Sequence, residues 1–134
     1  MSHLLHSWPA RRTILLVDDD PFLAWSRKSV LEKRFRTIER VQDAAQAFIR
    51  VNDADFAAQL GLVIVALTQP GLAGPQFVAE LSARLPDVPI LAIGRVGDVS
   101  HDYPATHVSF LPRHATAEDL LAGACDILSI PQAA

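Results

Sequence analysis

A single cysteine, Cys125, excludes any disulfide within this 134-residue chain. Apolar runs are short: one such as Leu62 to Leu67 covers six residues, where a bilayer needs about twenty. The N-terminal "MSHLLHSWPARR" carries its positive charge after its apolar residues and has no proper apolar stretch, so it makes a poor secretory signal. A cytoplasmic location is expected. The five histidines, at positions 3, 6, 101, 107 and 114, show no metal-ligand spacing. Aromatics are only 7% of the chain, too few for a base-stacking platform, and Trp8 and Trp25 are read as core or docking anchors. No repeat and no low-complexity linker divides the sequence.

What remains is enough for one domain with a core of its own, since half the residues are apolar and a fifth are charged. The net charge of −3 is unevenly spread. Residues 1–40 hold eight of the twelve Lys and Arg against five acids, and residues 41–134 hold four against ten. Arg27, Lys28, Lys33, Arg34, Arg36 and Arg40 thus admit an acidic partner or nucleic acid near the first helix. No base-reading pattern accompanies them, which favours a solvated helix face.

Strand and helix signals alternate. "TILLV" (13–17) reads as a parallel strand covered on both faces. Asp20-Pro21 supplies an N-cap and a first-turn proline for a helix to about Arg34, with Phe22, Leu23, Ser26, Val30 and Leu31 as its apolar stripe. "TIERV" (37–41) is a weaker strand. Asp43 caps a second helix that Asn52-Asp53 interrupts before it resumes to about Gln59. "LVIVAL" (62–67) is the clearest buried strand. Gly71, Gly74 and Pro75 lead into a third helix with Phe77, Val78, Leu81 and Leu85 inward. "PILAIG" (89–94) and "HVSFL" (107–111) are the fourth and fifth strands, with room for one short helix between them. Thr116 caps a last helix, where Cys125 shares an apolar face with Leu120, Leu121, Ala124 and Leu128 and reads as an inert core thiol. Short connections between alternating strands and helices give an α/β, doubly wound parallel sheet. Ligands gather beyond the carboxyl ends of such strands, which directs attention to residues 18–20, 66–69, 94–95 and 112–114.

"ILLVDDDP", "LVIVALTQPGLAG", "PILAIG" and "FLPRHATAEDLL", in that order, resemble the receiver domain of bacterial response regulators over most of the chain. The resemblance implies a flavodoxin-like fold with five parallel strands in the order 2-1-3-4-5. It divides the chain into an N-terminal extension (1–11), a receiver-like domain (12–130) and a tail (131–134). In that family a partner kinase phosphorylates an Asp at the end of strand three, beside an acidic pair that holds magnesium, a hydroxyl residue and a lysine.

By this resemblance the acidic pair is Asp18 and Asp19, but the phosphoacceptor position is Ala66, the Ser/Thr position is Gly94 and the Lys position is Arg113. His114 stands where a proline usually follows the lysine. Phe110 occupies the aromatic switch position, and Gly94 offers no hydroxyl to link the pocket to that ring. No cofactor is expected, since Asp18 and Asp19 alone would hold Mg2+ only weakly. Arg113 is expected to bridge the acidic pair and stand in for the metal.

The implied function is that of an atypical, non-enzymatic receiver in a two-component or phosphorelay-type pathway. It would act through protein–protein contact without aspartyl phosphorylation. A partner protein or a second copy would meet the face made by the fourth helix, the fifth strand and the fifth helix, including residues 96–103 and Phe110. Two alternatives stand beside it: residual phosphoacceptance by Asp18 or Asp19, and nucleic-acid binding through the basic first helix. The chain is expected to act alone as an adaptor or as a piece of a longer signalling protein.

Overall fold

A computed structural model describes residues 13–67, 74–93 and 107–128. The elements run β1 (Thr13–Asp18), α1 (Pro21–Leu31), β2 (Thr37–Val41), α2 (Ala44–Val51), α3 (Ala54–Gln59), β3 (Leu60–Ala66), α4 (Gly74–Arg84), β4 (Ile90–Ile93), β5 (Val108–Leu111) and α5 (Ala117–Ile127). The five strands form one sheet in the order β2-β1-β3-β4-β5, and each neighbouring pair is parallel. The short helix expected between β4 and β5 falls outside the described residues, as does Gly94.

The central strands bury every residue: all six of β1, all seven of β3 and all four of β4. Strand side chains alternate between the two faces of a sheet, and the core divides accordingly. Leu15, Val17, Val63, Val65 and Ala92 pack with Ala47, Phe56, Phe77, Val78 and Leu81 of α2, α3 and α4. Ile14, Leu16, Leu62, Ile64, Ala66, Leu91 and Ile93 pack with Ala24 and Leu31 of α1 and with Leu120, Ala124 and Cys125 of α5. Even-numbered residues of β1, and of β3 from Leu62 onward, therefore face α1, while Leu60, before a register shift, packs on the other side.

Side-chain caps set the helix starts. Asp20 accepts from the amides of Phe22 and Leu23, and Asp43 accepts from that of Gln46. Asp53 takes the amides of Asp55 and Phe56, which restarts the chain as α3 after α2 ends at Val51. Thr116 and Asp119 form a reciprocal capping box on α5.

The stripe expected on α1 needs correction. Phe22 and Leu23 are exposed, and the buried residues are Ala24 and Leu31. Ala24, Arg27 and Leu31 recur at helical spacing and turn the same side inward, leaving Phe22 on the opposite side. Trp25, at 70% exposure, is not a core residue.

Candidate functional site

Asp18 ends β1 directly opposite Ala66, the last residue of β3. Both are even-numbered, so both side chains belong to the α1 face. The Ala66 methyl is buried at 2% exposure, and Asp18 has no exposed surface at all. The sheet thus closes around one buried carboxylate and one methyl at neighbouring strand ends.

Burial drives the character of Asp18. Loss of hydration lifts its carboxyl above the ordinary carboxylate value, and the like charge of Asp19 adds to this. Hydrogen bonds oppose the shift: Arg27 Nη1 donates to Oδ2 at 2.7 Å, and the Asp20 amide donates to Oδ1 at 3.1 Å. The Arg27 side chain is itself only 12% exposed. A second guanidinium works from the other side. Arg40 at the end of β2 donates through Nε at 3.0 Å and Nη2 at 2.8 Å to the main-chain oxygen of Asp18.

The cation that meets the Asp18 carboxylate is Arg27, a role that the sequence pattern does not assign to it. Arg113 and His114 lie exposed in the turn after β5. Arg27 reaches the Asp18 carboxylate because it projects from the inward side of a helix packed against β1. Asp19 is half-buried beside Asp18. Asp20 serves as the N-cap of α1. Phe110, half-buried on β5, packs against the α2–α4 side of the core.

Sequence reasoning missed Arg27 and Arg40 as site residues. The signals were present: Arg27 lies three residues after Ala24 and four before Leu31, and Arg40 shares a strand face with the buried Ile38 and registers with Leu16.

These residues do not fit a divalent metal. Mg2+ requires hard oxygen donors in near-octahedral order, and among the described residues no group of three acidic, His or Cys side chains is placed to hold a metal ion. A dication at Asp18 would also have to enter beside a guanidinium already 2.7 Å from Oδ2. The basic residues on and after the first helix are likewise committed in part. Arg27 and Arg40 hold Asp18, and Lys33 pairs with Glu118 of α5 at 3.2 Å.

Comparison with known proteins places the architecture. No family model matches the chain. It is 28% identical over 90 residues to the C4-dicarboxylate transport transcriptional regulatory protein DctD of Pseudomonas aeruginosa, a match covering 67% of this chain and 19% of that protein's length. Among solved structures, the receiver domain of the hybrid histidine kinase CckA superposes with a TM-score of 0.67 at 23% identity, over 87% of this chain and 98% of that one. A response regulator receiver protein from Sinorhizobium medicae gives 0.68 at 23% identity, over 87% and 94%. The fold is that of receiver domains.

Proposed function

We propose that the chain is a receiver-like module of a two-component or phosphorelay-type pathway that communicates by protein contact and is not switched by aspartyl phosphorylation. The observation that carries this reading is the register of Asp18 with Ala66. A methyl group has no lone pair with which to attack a phosphoryl donor, and it fills the strand end beside the acidic pair. Asp18 makes a poor substitute nucleophile, because it is buried and its Oδ2 is held by Arg27.

A protein partner fits the surface better than nucleic acid does. The overall charge is negative, and four of the six basic residues near α1, Arg27, Lys33, Arg34 and Arg40, make contacts within the fold. The partner, or a second copy, would meet the face formed by β5, α5 and the segment between β4 and β5.

The test is incubation of the full chain with Mg2+ and acetyl phosphate, followed by intact mass. The expected result is no added mass. A stoichiometric gain of one phosphoryl group would overturn the proposal.

A further inference from the structure

Two adjacent carboxylates, one of them fully buried, need a positive neighbour to stay charged inside a protein. That neighbour can be an exchangeable ion or a side chain fixed by the fold. Here α1 is fixed at its start by the Asp20 cap and along its inner side by Ala24 and Leu31. Arg27 lies between those two packed positions, so its guanidinium is delivered to Asp18 Oδ2 by the helix itself. Arg40 anchors the same residue from the other side by donating two hydrogen bonds to its main-chain oxygen.

We propose that the Arg27 guanidinium is the resident cation of this pocket, a built-in replacement for a divalent ion that holds α1 to the end of β1 without any metal. This deepens the reading of the chain as an unphosphorylated receiver-like module and rests on it. The consequence is a pocket with one setting. The ion pair ties the middle of α1 to the sheet, and the solvent side of that helix, with Phe22 at 78% and Trp25 at 70% exposure, is carried in a fixed relation to the acidic cluster. A metal-dependent pocket would couple α1 to cation supply; this one does not.

The experiment compares thermal unfolding of the full chain, Arg27→Met, Arg27→Lys and the double variant Asp18→Asn/Arg27→Met, each with and without 10 mM Mg2+ or Mn2+. The native chain is expected to show no shift with either metal. Arg27→Met leaves a buried carboxylate unpaired and is expected to unfold about 10 °C lower, with part of that loss recovered by metal. Arg27→Lys should keep most of the stability and remain insensitive to metal. The double variant should recover stability relative to Arg27→Met and gain nothing from metal, since the carboxylate that would bind it is gone.

If Arg27→Met does not fold, Mn2+ titration of the native chain followed by electron paramagnetic resonance decides: no binding at millimolar Mn2+ supports the proposal. Saturable sub-millimolar binding to the native chain, a rise in its midpoint with Mg2+, or an Arg27→Met midpoint equal to the native one would overturn it. These readouts are separate from phosphoryl labelling. A labelled chain that binds no metal would remove the functional reading alone, and an unlabelled chain that binds metal would remove only the role given to Arg27.

Discussion

Arg27 of α1 and Asp18 of β1, nine positions apart, form an ion pair at 2.7 Å in which the carboxylate is fully buried and the guanidinium nearly so. Burial nevertheless outweighs that attraction, and the Asp18 carboxyl stands above its ordinary value. The pair therefore specifies an arrangement more than it stabilises the fold. Removing one partner and removing both charges should have opposite consequences.

The first prediction concerns pH. A folded-state value raised above the ordinary 3.8 means that folded Asp18 holds its proton more tightly than the unfolded chain does. The stability from this group is fully present below pH 3.8 and is lost as pH rises through the raised folded value. Asp18→Asn removes the dependence while keeping an acceptor for Arg27. The difference in urea stability between the native chain and Asp18→Asn should shift against the native chain as pH rises across that window.

The second prediction concerns Ala66. Restoring a carboxylate there would place a third acid against Asp18 at a buried strand end, with the guanidinium of Arg27 already committed. Ala66→Asp should lose about 2 to 4 kcal/mol in urea unfolding, the range for burying a charge without a matched partner. It should also stay unlabelled by acetyl phosphate, because Arg27 occupies the carboxylate that a metal would need. Labelling of Ala66→Asp at native stability would show that the pocket had kept its chemistry and lacked only the nucleophile.

Much of this was legible in the sequence. The continuous apolar runs of β1, β3 and β4 announced buried parallel strands, and Asp20, Asp43 and Thr116 announced helix starts, because both signals are local. Ala66 was legible because it closes the apolar run of β3 just before the "TQPGLAG" spacing of the sequence. The inward side of α1 was misread, since Phe22 and Leu23 are more apolar than Ala24 and Arg27, and hydrophobicity alone chose the wrong stripe. The helix had to turn a small residue and an arginine inward, because Asp18 on the facing strand demanded a cation. That demand crosses from one element to another, and no periodicity within α1 reports it. Arg27 went unassigned for the same reason: a motif locates positions along the chain, and tertiary packing decides which side chain reaches the Asp18 carboxylate.

Cys125 gives the third prediction. Its thiol is wholly buried beneath α5 among Leu120 and Ala124, and burial pushes its ionisation above the ordinary thiol value. The thiolate is the reactive form. A disulfide reagent such as dithionitrobenzoate should leave the native chain unmodified at pH 8 for as long as it stays folded. Labelling should follow global unfolding in urea, and rapid labelling in buffer would show that α5 opens by itself.

The last prediction concerns the outward side of α1. Phe22 and Trp25 lie one turn apart and are among the few large apolar side chains that the described residues expose, with Leu23 and Ile49. An exposed side chain contributes little burial energy to the fold, so replacing it should change stability by no more than about 0.5 kcal/mol. Phe22→Ser and Trp25→Ser should therefore unfold at the native urea midpoint, in contrast to Ala24→Ser, whose site is 3% exposed. In a Trp8→Phe background, the remaining indole of Trp25 should be quenched strongly by iodide in the folded state, with little further gain on unfolding. A protected, blue-shifted Trp25 would mean that this face is covered by the chain itself or by a second copy. Dilution separates those two cases, because only protection by a second copy fades as the protein concentration falls.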